Sequence, residues 1–302
     1  MTKVFIDGSA GTTGLRIRER LALRADITLI EIPDEFRKDS DRRKEALNSA
    51  DIAFLCLPDA AAKEAVSLIE NSGTAVIDTS TAHRVDSGWT YGFPELSGQR
   101  EKIRSSKRIA NPGCHASGFI ALVAPLVQAG IILPDEDLSA FSLTGYSGGG
   151  KKMIADYEAD GRDVLLDSPG MYGLNQVHKH LPEMVKYTGL SSAPVFCPVV
   201  APYYSGMEVI VPLHCADIEE IGKVYEFYYG EGLVRYNGTA DSGFIYANKF
   251  SGRDDMEITV CGKDERTLLV SCFDNLGKGA SGAAIQNMNI LMGLDEKTGL
   301  TF

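Results

Sequence analysis

The chain has 302 residues, 44% hydrophobic and 24% charged. This composition is ordinary for a soluble globular protein and excludes intrinsic disorder. With 30 basic and 41 acidic residues, the net charge is −11, which argues against nucleic acid and anionic membranes as partners. The length predicts roughly two domains of about 150 residues each.

Membrane-spanning, secreted and metal-binding classes are also disfavoured. The sequence has no run of about 18 apolar residues, as a membrane span requires, and residues 1–8 do not resemble a signal peptide. None of the cysteines forms a C-x-x-C pair, which argues against a zinc site. We therefore expect a cytoplasmic chain with reduced thiols, most of them inert core residues, and no bound metal. The cysteines are Cys56, Cys114, Cys197, Cys215, Cys261 and Cys272.

The first third of the chain alternates apolar runs with helical patterns. Helices are predicted over 12–23 and 60–70, and strands over 3–7, 27–32, 51–57, 75–78 and 108–111. This alternation indicates βαβ units with a parallel sheet. Ligands of such sheets bind at the carboxyl ends of the strands.

A glycine-rich turn joins the first predicted strand to the first predicted helix. Its glycines allow a tight turn and a close approach of pyrophosphate to the free N–H groups of the helix N-terminus. The spacing is G-x-x-G-x-x-G rather than the usual G-x-G-x-x-G, and a tight turn without a ligand is the alternative. The predicted dinucleotide-binding residues are Gly8, Ser9, Gly11, Thr12, Thr13 and Gly14.

The loop after the second predicted strand bears on the type of dinucleotide. Glu31 lies where a carboxylate could bind a ribose 2′-OH, which would favour NAD. Arg37 and Lys38 follow closely and suit a 2′-phosphate, so NADP is the favoured cofactor. We interpret Arg42 and Arg43 as the solvated start of a charged helix.

Cys114 is the predicted nucleophile. It follows the turn Asn111-Pro112-Gly113 and opens a helix predicted over 114–128. The N–H groups and dipole at a helix N-terminus stabilise a thiolate and lower the pKa of the thiol. A thiol placed there is suited to covalent catalysis.

The predicted acid/base partner is His178 or His180. Residues i and i+2 of an extended segment point to opposite sides, so at most one of the two is expected to face Cys114. Pro182 suits the first turn of a helix that begins just after His180.

The β-content rises beyond residue 139. Apolar runs occupy 140–144, 195–200, 208–213, 243–250, 256–261 and 268–273, which predicts a mostly antiparallel or mixed sheet. A helix over 217–229 is expected to cross this sheet, and a last helix is predicted over 280–292.

Seven segments, in order along nearly the whole chain, resemble the shorter type of the N-acetyl-γ-glutamyl-phosphate reductase family. They are GSAGTTG (8–14), DTSTAHR (78–84), YGFPEL (91–96), NPGC (111–114), TGYSGGGKK (144–152), HKHLPE (178–183) and GKGASGAAIQNMN (277–289). The resemblance implies a fold like that of aspartate-semialdehyde dehydrogenase. An α/β Rossmann domain (1–113 and 280–302) would bind the dinucleotide, and an α+β domain (114–279) would carry catalysis and oligomer contacts.

The same resemblance implies an activity in arginine biosynthesis. The family reduces N-acetyl-γ-glutamyl phosphate to N-acetylglutamate 5-semialdehyde with NADPH and releases phosphate, here through a Cys114 thioester. Arg84 would hold the substrate phosphate or carboxylate, Ser147 and Gly148 would shape the pocket, and Asn287 would border the nicotinamide. Longer members carry H-R-H where this chain has His178-Lys179-His180. A homodimer or homotetramer is also implied.

The sequence leaves two other functions open. One is a related acyl-phosphate reductase, either aspartate-semialdehyde dehydrogenase or an enzyme acting on carrier-bound aminoadipyl phosphate; the NPGC and HKHLPE segments argue against the aspartate enzyme. The other is a non-catalytic NADP-binding regulatory protein. That reading requires a lost nucleophile, whereas Cys114 is present in its motif.

Overall fold

The computed structural model describes residues 1–214, 217–230, 232–238, 243–263 and 265–302, so Cys215 lies outside the described residues. The described chain divides into two compact units. Unit 1 comprises residues 1–112 and 280–300, and unit 2 comprises residues 113–279 with 301–302. Within the described residues, none of the helices has the length and apolar character that crossing a membrane requires.

Unit 1 is built from alternating strands and helices around a parallel sheet. Its strands follow the order β2-β1-β3-β4-β6-β5, and each pairing is parallel. This arrangement confirms the predicted α/β class. The elements are β1 (Thr2–Asp7), α1 (Thr12–Leu21), β2 (Ile27–Ile30), α2 (Ser40–Ser49), β3 (Ile52–Leu55), α3 (Asp59–Ser67), β4 (Ala75–Asp78), β5 (Thr90–Tyr91), α4 (Gln99–Ser105) and β6 (Arg108–Ala110).

Unit 2 is built around a mixed sheet, also as predicted. The strand order is β11-β12-β13-β10-β7-β9-β8, with β7/β9 and β11/β12 parallel and the other pairs antiparallel. Its elements are α5 (Cys114–Gln128), β7 (Ser139–Gly145), α6 (Gly150–Glu158), β8 (Gly170–Met171), α7 (Leu181–Thr188), β9 (Val195–Ala201), β10 (Met207–His214), α8 (Ile218–Tyr228), β11 (Val234–Tyr236), β12 (Met256–Lys263) and β13 (Arg266–Phe273).

The last helix, α9 (Gly282–Leu291), returns the chain to unit 1 after a π-helical turn, Gly277–Ser281. Alternate residues of β1 show why unit 1 needs helix α9. Val4 belongs to a core that includes Ile285 and Met288 of α9, whereas Phe5 belongs to the core on the other face of the sheet. Both faces of the strand are therefore buried, which is why these strands read as continuous apolar runs.

Helix α5 packs closely on the sheet of unit 2. A Cβ placed on Gly118 would lie 2.6 Å from Cγ2 of Val209, so only glycine permits this approach. The helix is buried over most of its length, and its observed bounds match the prediction.

One predicted strand is wrong. Residues 243–250 form no strand, although they are rich in apolar side chains. Phe250 and Ile245 instead pack on Val270 and Cys272 of β13. These apolar residues cover part of the sheet rather than extend it. A short apolar run in the sequence does not distinguish a strand from a loop that packs on a sheet.

Candidate active site

The glycine-rich turn has the geometry of an anion cradle. Gly8 has φ +87°, and a Cβ there would lie 2.3 Å from the backbone oxygen of Cys56. A Cβ on Gly14 would lie 2.4 Å from the backbone oxygen of Gly8. Helix α1 begins at Thr12 after Gly11, which brings no side chain to cap it. The N–H groups of the first turn are therefore available to an anion.

The basic residues that follow β2 fall into an exposed pair, Arg37 and Lys38 (the cationic loop), and a second pair, Arg42 and Arg43, in α2. Arg37 and Lys38 are exposed, as a site for a 2′-phosphate would require. Arg43 is only 7% exposed and donates to Asp7 Oδ2 at 2.9 Å, so the interpretation of Arg43 as solvated is wrong. The carboxylate of Asp7 draws Arg43 into the protein, while Arg42 stays outside and pairs with Glu45.

Glu31, the residue that would favour NAD, is already engaged. Its Oε1 pairs with NH2 of Arg18 at 2.6 Å, on the surface of unit 1. Both side chains are at least half exposed, so this is a weak surface ion pair.

Arg84 and Asn287, which are distant in sequence, meet at Asn111. Arg84 donates through Nε to the backbone oxygen of Asn111 at 3.0 Å. Asn287 donates through Nδ2 to Oδ1 of Asn111 at 3.1 Å and to the backbone oxygen of Gly92 at 2.9 Å. The motif segments that contain these residues therefore form one hydrogen-bonded cluster in unit 1.

The loop carrying Arg84 is braced by its neighbour. His83 places Nδ1 2.6 Å from Oδ2 of the buried Asp78 and stacks on Trp89 with ring centroids 4.1 Å apart. Arg84 is 7% exposed and also donates to the backbone oxygen of Thr79. The guanidinium is thus held in a fixed orientation.

Cys114 is the first residue of α5 and is partly buried. The preceding residue, Gly113, caps the helix, and its N–H donates to Oε2 of Glu183 at 3.1 Å. A Cβ on Gly279 would lie 2.8 Å from Cβ of Cys114, so this glycine leaves room for the thiol-bearing residue. The sequence expectation of a cysteine at a helix N-terminus agrees with this placement.

Both candidate histidines lie at the same end of α5. The ring of His115 is 5.4 Å from that of His178 and 5.5 Å from that of His180, and the last two are 4.7 Å apart. Two turns interrupt the segment 173–181: the N–H of Gln176 donates to the backbone oxygen of Gly173, and that of Leu181 donates to the backbone oxygen of His178. The expectation that the two imidazoles point apart is therefore wrong.

Ser147 and Gly148 lie in a 3-10 turn after β7. Ser147 is 1% exposed, and its Oγ accepts a hydrogen bond from Nδ2 of Asn275 at 3.0 Å. Oδ1 of Asn275 accepts from the N–H of Gly206 at 2.9 Å. The turn is thereby fixed to two other loops of unit 2.

Three side chains of unit 2 that organise this region are absent from the predicted site residues. Glu183 could have been found, because a carboxylate three residues after His180 occupies the first turn of α7. For His115, the only signal in the sequence is its position next to Cys114. Tyr172 gave no signal, since it lies in an irregular loop that the fold brings to His115.

The other described cysteines are Cys56, Cys197, Cys261 and Cys272. Burial, with smaller contributions from Asp78 and Asp7, raises the pKa of Cys56 to about 12. Burial likewise raises the pKa of Cys272. These two therefore stay protonated, as expected of inert thiols. Among the described residues, no group of three or more His, Cys, Asp or Glu side chains could hold a metal ion.

Comparison with known proteins agrees with this geometry. Residues 30–106 match the family model for the semialdehyde dehydrogenase NAD binding domain, and residues 114–275 match that for the semialdehyde dehydrogenase dimerisation domain. The chain is 44% identical over 318 residues to N-acetyl-gamma-glutamyl-phosphate reductase 2 of Nostoc sp., covering 99% of both chains. It is 46% identical over 306 residues to the N-acetyl-gamma-glutamyl-phosphate reductase of Brucella ovis, covering 96% of this chain and 99% of that one.

Solved structures resemble the chain in fold. Aspartate semialdehyde dehydrogenase II from Vibrio cholerae, complexed with ASA, gives a TM-score of 0.74 at 17% identity, covering 97% of this chain and 98% of that one. Aspartate semialdehyde dehydrogenase with NADP from Candida albicans gives 0.69 at 15% identity, covering 97% of this chain and 98% of that one. These similarities confirm the predicted fold class.

Proposed function

The chain belongs to the N-acetyl-γ-glutamyl-phosphate reductase family, and from this premise we propose how its residues carry out the family reaction. It is an NADP-dependent oxidoreductase of arginine biosynthesis that reduces N-acetyl-γ-glutamyl phosphate to N-acetylglutamate 5-semialdehyde and releases phosphate. Unit 1 would bind the dinucleotide, and unit 2 would carry the covalent chemistry and the oligomer contacts. The observation that supports this most is Cys114 at the N-terminus of α5, at the same helix end as two imidazoles.

The residues of unit 1 fit a bound dinucleotide. The turn from Gly8 to Gly14 presents the first N–H groups of α1 to a pyrophosphate, together with the hydroxyls of Ser9, Thr12 and Thr13. Oδ1 of Asn287 is buried and has no hydrogen-bond partner among the described residues, so it could accept a bond from the nicotinamide carboxamide. NADPH, when bound, supplies the hydride of the reaction.

Cys114 would be the acyl acceptor. Its thiolate attacks the acyl carbon, the carbon–oxygen bond to phosphate breaks, and a thioester forms on the sulfur. Hydride addition to that carbon gives a thiohemiacetal oxyanion. The N–H groups at the start of α5 would stabilise its negative charge.

The imidazole of His178 or His180 would move the proton. It donates a proton to the thiohemiacetal oxyanion and takes one back as the carbon–sulfur bond breaks and the aldehyde leaves. Both rings lie at the Cys114 end of α5, so both remain candidates. Single replacement of each by glutamine distinguishes them, because only loss of the active one removes the pH-dependent limb of kcat.

Arg84 would hold an anionic group of the substrate. It is the side chain that the cluster around Asn111 holds in place, and guanidinium binds carboxylate and phosphate in bidentate fashion. Lys179 stands where longer family members carry arginine, and its point charge would make a weaker anion contact there.

The assembly would be a homodimer or homotetramer, through the segment that matches a dimerisation domain. The cytoplasm is the location we propose for the reaction, because a thiolate nucleophile must stay reduced.

The reaction is tested in reverse with purified protein, phosphate and NADP. We expect NADP reduction with N-acetylglutamate 5-semialdehyde that depends on phosphate, is faster than with NAD, and exceeds the rate with aspartate semialdehyde. A higher kcat/KM with aspartate semialdehyde would overturn the substrate assignment. Alkylation of Cys114 by iodoacetamide without turnover of any aldehyde would favour a regulatory NADP-binding protein.

A further inference from the structure

His115 is an imidazole that the proposed reaction leaves unused. It follows Cys114 directly in α5 and is 3% exposed. Its Nδ1 lies 2.7 Å from Oγ of Ser142 on β7, and its Nε2 lies 2.7 Å from the hydroxyl of Tyr172. Both ring nitrogens are thus satisfied by side chains from separate elements of unit 2.

The protonation state of this ring is fixed by its surroundings. Burial, with smaller contributions from His178 and Lys179, lowers the pKa of His115 to about 3. Burial, with a smaller contribution from Cys114, raises the pKa of Tyr172. The phenol therefore keeps its proton and can donate to Nε2, which leaves Nδ1–H to donate to Ser142.

The ring of His115 is also the common contact of the candidate acid/base residues. The rings of His178 and His180 lie against it, the first edge-on at an interplanar angle of 85°. Phe196 of β9 contacts both His115 and His178, with centroids 5.3 and 5.1 Å away. A neutral, hydrogen-bonded ring in this position restricts where the other two imidazoles can lie.

We propose that His115 is a positioning residue for the family reaction: anchored to Ser142 and Tyr172, it holds the imidazoles of His178 and His180 at the Cys114 end of α5. This inference rests on the proposed function for its catalytic consequence. The anchoring matters because a shift of about 1 Å in a reacting group lowers turnover by about a hundredfold.

The ionisable groups around His115 come from each element packed against it. Cys114 lies on α5, Tyr172 follows β8, and the loop before α7 brings three groups. These are His178, Lys179 and His180. Glu183 lies in the first turn of α7 and holds the cap of α5.

The test compares His115→Phe with His115→Gln in the intact protein. Phenylalanine keeps a ring but loses both hydrogen bonds, so we expect kcat to fall about 10- to 100-fold with KM and NADPH affinity within about twofold. Glutamine retains a donor and an acceptor and should recover most of kcat. The acid/base limb of the pH profile should shift for phenylalanine. An unchanged profile and kcat in His115→Phe would overturn the proposal.

Two further measurements keep the outcome decisive. If His115→Phe does not fold, Ser142→Ala removes only the anchor behind the ring and should shift the pH profile in the same direction; a wild-type profile would overturn the proposal. The pH dependence of Cys114 alkylation, followed on its peptide by mass spectrometry, requires no substrate. A shifted alkylation profile in an enzyme that turns over no aldehyde supports the positioning role while the proposed function fails.

Discussion

The carboxylate of Glu183 accepts a hydrogen bond from the N–H of Gly113 at 3.1 Å, and this bond joins the first turn of α7 to the cap of α5. Glu183 is 1% exposed, so the bond is shielded from water. The helix that presents Cys114 and the helix that follows His180 are thereby held in a fixed relation. A side chain that was absent from the sequence predictions thus links the predicted nucleophile to the predicted acid/base loop.

Replacement of Glu183 separates its hydrogen bond from its charge. Glu183→Ala leaves the buried N–H of Gly113 without this acceptor and should lower the free energy of unfolding by about 1–3 kcal/mol. Glu183→Gln keeps an acceptor oxygen and should lose less. Urea unfolding of the unmodified protein and of both variants measures these losses. If Glu183→Ala is as stable as the unmodified protein, the hydrogen bond contributes nothing to stability.

Removal of the thiol should abolish reduction without affecting the dinucleotide. In Cys114→Ser, we expect kcat to fall by about a thousandfold or more, because the nucleophile is lost. The affinity for NADPH, measured by fluorescence titration, should be unchanged because the cradle lies in unit 1. Cys197→Ser is the matched control, since Cys197 lies within β9. Substantial turnover by Cys114→Ser would exclude the thioester route.

The cationic loop should set the preference for NADP. Arg37→Gln combined with Lys38→Gln should raise KM for NADPH about tenfold and leave KM for NADH within about twofold, because only NADPH carries a 2′-phosphate. Arg104→Gln is the control, since Arg104 is paired with Glu101 on the surface. Equal changes in KM for NADPH and NADH would show that Arg37 and Lys38 do not bind the 2′-phosphate.

The buried pair of Arg43 and Asp7 should matter far more than its exposed neighbour. Arg43→Gln leaves a carboxylate uncompensated at the end of β1 and should lower the free energy of unfolding by about 3–5 kcal/mol. Arg42→Gln removes a surface pair with Glu45 and should change stability by less than about 1 kcal/mol. Chemical denaturation of the two variants tests this contrast, and similar losses would contradict it.

Glu208 should make stability depend on pH. It is 8% exposed in β10, and burial raises its pKa from 4.5 to about 7. The folded chain therefore binds this proton more tightly than the unfolded chain, so stability falls as pH rises from about 4.5 to about 7 and then levels off.

The variant Glu208→Gln removes this titration. At pH 8 it should raise the free energy of unfolding by up to about 3 kcal/mol, and at pH 4.5 it should have little effect. Urea midpoints across this pH range measure the change, with the exposed Glu220→Gln as control. A parallel offset at every pH would show that the pKa of Glu208 is the same in the folded and unfolded states.

Much of unit 1 was predictable because its strands are buried on both faces. Continuous apolar runs such as 52–55 and 75–77 favour the interior, and the helices between them favour parallel pairing. The placement of Cys114 was predictable for a local reason. Proline and glycine before it end one element, and an apolar helical pattern begins immediately after it.

Relations between distant segments were not predictable. Asn111 receives Arg84 and Asn287 only because the chain returns to unit 1 after residue 280. The two histidines come together because residues 178–181 form a turn, closed by the N–H of Leu181 on the backbone oxygen of His178, whereas alternation assumes an extended chain. The ion pair of Arg43 depends on Asp7, whose position beside α2 is set by the sheet.

The return of α9 to unit 1 has a consequence for how the protein is made. Ala284, Ile285, Met288 and Ile290 fill the same core as Val4 and Ile17, yet they are translated more than 260 residues later. The core of unit 1 therefore lacks these side chains while residues 113–279 are being synthesised, whereas those residues of unit 2 are continuous in the sequence. Nascent chains stalled before residue 280 should therefore be protease-sensitive in the N-terminal part of unit 1.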